Sequence, residues 1–294
     1  GPDDQHWLIV TAKGTHRLLV HDAHNGALIK TIGGLGDRLG QFNRPNGIWV
    51  QDDFLFVVER DNQRVQVMHL PAFNPLGSYG EGHLKNPYGL TVIDSDEPGE
   101  FIVYVTDNYE TLEEEKPPLS ELNQRVHRFE VEAEGITEGT GILNIVESIY
   151  ADPVYDRLLI ADEEISEEGQ CIKVYNLAGQ FTGQVLGKGI FQNQPEGISL
   201  WSTGPNTGFW ILTDQGMQKN YFHVFNREDL EYVGTFEGEV TLNTDGVWLD
   251  ATPSQRYPRG LFYAIHNDGN VAVFSLAEIA TALVLERDRN SEKE

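Results

Sequence analysis

One phrase recurs six times along the chain, and it constrains the fold more than any other feature. Short apolar runs end in polar residues at Lys13, Arg60, Asn108, Glu163, Gln215 and Asn267, in steps of 47 to 55 residues. Each is followed by a polar turn and a run with alternating apolar residues: RLLVHD, RVQVMHL, RVHRFEV, CIKVYNL, YFHVFN and VAVFSL. Five are preceded by an opening run: PNGIWV from Pro45, PYGLTV from Pro87, VESIYA from Val146, PEGISL from Pro195 and TDGVWL from Thr244. Most units close on a further strand, such as ALIKTIG or FTGQVLG. A period of two with turn residues between runs specifies β-strands. Units of about four strands at this spacing predict an all-β chain, a single six-bladed β-propeller domain over residues 1–294 with a charged acidic tail from about residue 286. The only predicted helix is Leu276–Val284, with Ser275 as its N-cap. Thr111–Asn123 reads as an exposed acidic insertion in the third unit.

The first unit has no opening run before Trp7. A strand edge left there must be hidden. The candidates are a segment near Pro2–Gln5, a segment near Leu283–Glu286, or a strand lacking from this sequence.

Antiparallel pairing turns the repeat into a site. An opening strand that runs away from one face of the sheet is followed by a strand returning to it. The residue before each inner glycine, or its counterpart, therefore meets the second-strand ends at one mouth. The first set is Asn46, Tyr88, Glu147, Glu196 and Asp245. The second set is Lys13, Glu59, Arg60, Asp107, Asn108, Asp162, Glu163, Asp214, Gln215, His266 and Asn267. Eight of these are carboxylates, and like charges at close range repel by kilocalories at reduced dielectric. Carboxylate oxygens suit Ca2+, which takes six to eight oxygen ligands; zinc favours more His or Cys. Asp268, just past the last strand end, joins the candidate ligands. The alternative is that Asp and Asn here cap turns. Lys13 and Arg60 are the cations of the set and suit phosphate or carboxylate.

Acidic residues outnumber basic ones 46 to 21, for a formal charge of −25. That excludes the basic footprint that nucleic acid requires. No run is apolar enough to span a membrane as a helix. The lone Cys171 rules out an intrachain disulfide and reads as a small buried hydrophobe. Gly1-Pro2 reads as a cleavage scar; a secreted or periplasmic location and a monomeric state are expected.

At the mouth residues the chain resembles the β-propeller phytases, calcium-dependent enzymes of six blades. The resemblance rests on VESIYADPVYDRLLIADEE at Val146–Glu164, on Glu196–Trp201 with Asp214–Gly216, and on Asn243–Val247 with Tyr257–Phe262. It implies hydrolysis of inositol hexakisphosphate or a related phosphomonoester by metal-activated water. Glu147, Glu196 and Asp245 would hold several Ca2+ ions in the catalytic centre. Glu163, Asp162, Asp214 and Asp268 would be further metal ligands. Lys13, Arg60 and Tyr88 would bind substrate phosphates. The chain departs from the family where PNGIW stands at Pro45–Trp49, where Asn243 stands for an Asp, and in the first unit, which lacks the family's acidic opening. The second and third units also resemble NHL repeats through GQFNRPNGIWV and FVVERDNQRVQVM. A non-catalytic binding platform and a metal-dependent lactonase or esterase are the rival functions.

Overall fold

The computed structural model describes residues 1–2, 5–96, 99–108, 125–130, 133–135, 146–163, 170–283 and 285. The insertion Thr111–Asn123 and the tail from residue 286 lie outside them. The chain forms two compact units, residues 1–151 with 178–180, and residues 152–177 with 181–294.

In the first unit, β1 (Trp7–Ala12), β2 (Arg17–Asp22) and β3 (Leu28–Gly33) form a sheet in that order. The second sheet is β4 (Pro45–Gln51), β5 (Phe54–Glu59), β6 (Arg64–His69) and β7 (Asn74–Tyr79). The third is β8 (Pro87–Asp94), β9 (Phe101–Asp107), β10 (Val126–Glu130) and β11 (Ala133–Gly135). The named strands pair antiparallel, and their ends fall where the repeat places them.

Strand β5 shows how these sheets stack. Its residues are buried on both faces, as a continuous apolar run requires. Leu55 and Val57 join Leu18, Val20, Phe42 and Phe73 in one cluster, whereas Phe56 and Val58 join Val92, Phe101, Val103 and Phe129 in another. The period of two sends alternate side chains to opposite faces. One strand thereby ties two cores together.

The division falls inside β12 (Val146–Asp152), which opens the fourth sheet. In the second unit that sheet continues with β13 (Arg157–Asp162), β14 (Cys171–Tyr175) and β15 (Phe181–Leu186). The fifth sheet is β16 (Gln194–Ser202), β17 (Gly208–Gln215), β18 (Tyr221–Asn226) and β19 (Tyr232–Phe236). The sixth is β20 (Val247–Asp250), β21 (Leu261–His266) and β22 (Asn270–Ser275), followed by helix α1 (Leu276–Ala282). Phe222, Phe236, Phe262 and Phe274 form an aromatic cluster with ring centroids 5.0–6.0 Å apart. Such pairs add about 0.5–1.5 kcal/mol each beyond area burial. Helix α1 seats Leu276, Ile279 and Ala280 on the same core. Cys171 is fully buried in β14, as expected.

Ser275 is the N-cap of α1, as expected, with extended backbone and no side-chain cap bond. One local expectation is corrected. Strand β20 starts at Val247 rather than Thr244. Asn243 takes a left-handed conformation (φ 47°), and the Thr244 hydroxyl donates to the Ile265 carbonyl at 2.7 Å, so this stretch lies beside β21 outside the regular ladder.

Inner-strand glycines bring the mouth residues side by side. A Cβ on Gly47 would lie 2.8 Å from the Tyr88 carbonyl oxygen, one on Gly89 2.6 Å from that of Glu147, and one on Gly197 2.9 Å from that of Asp245. Each glycine thus lets the next opening strand approach through its own mouth residue.

Candidate functional site

Each second strand ends in two residues with different roles. The first is a buried acid in four sheets: Glu59, Asp107, Asp162 and Asp214, none more than 1% exposed. These acids face back into their own sheets. Asp214 accepts the Gln192 and Asn193 backbone N–H groups at 2.8 and 2.7 Å. Asp107 accepts those of Lys85 and Asn86 at 2.6 and 2.7 Å, and Glu59 accepts that of Asn43 at 3.1 Å. The chain just before the opening strand is thereby tied to the second strand.

A third-strand side chain faces each acid. Gln66 donates to Glu59 at 2.5 Å, His127 lies 3.6 Å from Asp107, Lys173 lies 2.8 Å from Asp162, and His223 lies 3.2 Å from Asp214. All four stand two residues beyond the acid's own partner in the pairing of second and third strands. Arg64 adds a 2.6 Å bond to Glu59. Charged acceptors make the Gln66, Arg64 and Lys173 bonds short and strong, whereas His127 faces Asp107 without a hydrogen bond. In the sixth sheet, His266 stands where the acids do, and its Nδ1 accepts the Leu242 N–H at 3.1 Å. Burial, with His83 and Lys85 nearby, pushes the His127 imidazole down to about 4. Asp162 and Asp214, expected as metal ligands, are therefore engaged inside their own sheets. The sequence signal for these partners was present in the third-strand starts RVQ, RVH, CIK and YFH. His127 and His223 are both buried.

In each unit, the second residue of each pair gathers with residues that precede the inner glycines. In the first unit, Lys13 donates to the Tyr88 hydroxyl at 3.3 Å, with its ammonium 5.0 Å from the ring centroid. Arg60 donates to Asn86, Asn86 to Asn108, and Asn108 to Glu147 at 3.4 Å. Glu147 is 5% exposed. Sequence reasoning missed Asn86 and also Arg125, whose guanidinium donates to the carbonyls of Asp107 and Asn108 and holds that strand end. In the second unit, a carboxylate oxygen of Glu163 lies within 4.8 Å of one of Glu196, which is 3% exposed. Gln215 donates to Asp245. Asp268 lies on the exposed β21–β22 turn in a left-handed conformation (φ 52°).

The sheets form a β-propeller fold. The chain is similar to one from the crystal structure of a nidogen/laminin complex, with 15% identity over 93% of this chain and 90% of that one and a TM-score of 0.64. It is also similar to Kuenenia stuttgartiensis hydrazine synthase, with 11% identity over 95% of this chain and 76% of that one and a TM-score of 0.58. No family model and no curated protein matches the sequence.

Proposed function

We propose that this protein is a calcium-dependent phosphomonoester hydrolase built as one six-bladed propeller, its six sheets serving as blades. The reading rests above all on Glu163 and Glu196, whose carboxylate oxygens lie within 4.8 Å of each other with Glu196 buried. Two negative charges so placed repel unless a cation or a proton lies between them. Carboxylate oxygens fit Ca2+, which completes its shell with water or substrate oxygens. Glu163, Glu196 and Asp245 would be its ligands, drawn from a second-strand end and from two positions before inner glycines of the same unit. Asp162 and Asp214 leave the ligand set because their bonds lie within their sheets.

Bound calcium would supply charge neutralisation at the phosphoryl oxygens and a lowered pKa for bound water. Lys13 and Arg60 would hold phosphate groups. The contact with Tyr88 orients the Lys13 ammonium, and that with Asn86 fixes the Arg60 fork. The substrate would be a small phosphorylated molecule such as inositol hexakisphosphate, taken by a monomer.

The test is phosphate release from inositol hexakisphosphate and simple phosphomonoesters with calcium titrated. Glu196→Ala and Asp245→Ala are expected to abolish calcium-dependent release. Lys13→Ala and Arg60→Ala are expected to raise KM with little change in calcium affinity. A wild type inactive at every calcium level refutes the reading. The amide series Asn86–Asn108–Glu147 favours a second reading, a lactonase or esterase with one metal ion held by carboxylate and amide oxygens. A lactone and ester screen under the same titration decides between the two.

A further inference from the structure

The opening strands of the second, third and fifth sheets are paired on both sides of the residue before the inner glycine. In the fifth sheet, Pro195 pairs with Asp214 and Ile198 with Leu212, which holds Glu196 between them. The sixth sheet differs. Its ladder begins only at Val247, paired with Ala264, so Asp245 lies ahead of it. On the β21 side, the Thr244 hydroxyl donates to the Ile265 carbonyl at 2.7 Å, and the Gly246 carbonyl accepts the Ile265 N–H at 3.0 Å. These bonds fix the neighbours of Asp245 from one side only.

The turn between β17 and β18, residues 216–220, supplies the other side. The Gly216 carbonyl accepts the Asn243 N–H at 3.0 Å. The Asn220 side-chain oxygen accepts two backbone N–H groups, that of Gly216 at 3.4 Å and that of Thr244 at 3.3 Å. Gly216 follows Gln215, Thr244 precedes Asp245, and the Gln215 amide donates to the Asp245 carboxylate. One oxygen thus ties the two segments at the residues adjoining that pair. The turn is closely packed: a Cβ on Gly216 would lie 2.0 Å from the Lys219 carbonyl oxygen. Asn220 is 1% exposed, and its Nδ2 has no hydrogen-bond partner among the described residues. A buried amide group left unsatisfied lowers stability, so it is the oxygen that this place in the fold uses.

We propose, on the calcium reading above, that Asn220 is a positioning residue for the Asp245 carboxylate and thereby sets how tightly Glu163, Glu196 and Asp245 hold a divalent cation. A carboxylate serves a metal only while it is held at ligating distance, and hydrogen bonds behind the ligand supply that hold. Gln215 orients the Asp245 carboxylate directly, and Asn220 orients the two segments that carry Gln215 and Asp245.

The test is calcium affinity, read by titration calorimetry on the 294-residue protein without substrate. Asn220→Ala is expected to weaken binding about tenfold, as loss of a partner behind a metal ligand does. Asn220→Asp keeps an acceptor oxygen in place and is expected to restore most of that loss. Thr241→Val removes another buried polar atom from the same stretch and is expected to leave the affinity unchanged. Urea unfolding in chelator establishes that each variant is folded during the titration. Should Asn220→Ala fail to fold, Asn220→Ser, whose shorter side chain withdraws the oxygen, is measured in its place with the same outcomes. A purely structural Asn220 lowers the urea midpoint and leaves the calcium affinity of the folded variant at the wild-type value, which overturns the proposal. So does an Asn220→Asp protein that binds as weakly as the alanine variant. A wild type that binds no calcium overturns the calcium reading itself, and this role of Asn220 with it.

Discussion

Removing the Asp214 carboxylate tests whether the strand-end acids hold the fold or a metal. Its two oxygens accept two backbone N–H groups and face His223 Nε2 at 3.2 Å, at 0% exposure. Asp214→Ala leaves the Gln192 and Asn193 N–H groups without this acceptor. Gln192 is exposed and Asn193 half-buried, so each donor counts at the low end of the ~1–3 kcal/mol for an unsatisfied group, and the pair predicts a loss of about 2 kcal/mol. That is a substantial part of the ~5–15 kcal/mol typical of a folded domain. Asp214→Asn keeps one acceptor oxygen and turns an NH2 group toward the other donor, for a loss of about 1 kcal/mol. The assay is urea unfolding in chelator and again in millimolar calcium. If Asp214 acts inside its sheet, both losses appear in chelator and the increment from calcium matches that of wild type. A metal ligand behaves oppositely, because its removal relieves repulsion in chelator and erases the calcium increment. An Asp214→Ala variant within about 1 kcal/mol of wild type in chelator would refute the reasoning.

Calcium at a hundred times its Kd is expected to stabilise the wild type by about 2.7 kcal/mol, and Glu196→Gln to remove that gain, both read as thermal midpoints with and without chelator. His127 titrates near 4 when folded and near 6.5 when unfolded, so the unfolded chain takes up its proton first as pH falls. Its contribution is fully present above pH 6.5 and is lost toward pH 4, by about 3 kcal/mol; His127→Gln, which copies Gln66 of the second sheet, is expected to flatten the urea midpoint across that window. Phe222→Ala opens the aromatic cluster and is expected to cost about 3–5 kcal/mol in equilibrium unfolding, against less than about 1 kcal/mol for trimming exposed Met217.

The strands were legible in the sequence because a period of two and punctuating turns are local properties. Strand ends at Ala12, Glu59, Asp107, Asp162, Gln215 and His266 follow the repeat within a residue of its polar pairs. The glycines of the opening runs were visible too, but their reason is tertiary: only the approach of the next strand makes a Cβ at Gly47, Gly89 or Gly197 collide with a carbonyl. The same division holds at the mouth. Sequence position assembles Asp162, Glu163, Asp214 and Gln215 as equivalents. Adjacent residues of a strand point to opposite sides, so a one-residue difference decides between a bond inside the sheet and a place at the mouth. Asp162 and Asp214 meet Lys173 and His223, whereas Glu163 and Gln215 meet Glu196 and Asp245. The repeat marked where polar groups would gather, and tertiary packing chose which of them face their own sheet, because a buried carboxylate must find donors wherever the neighbouring strands present them.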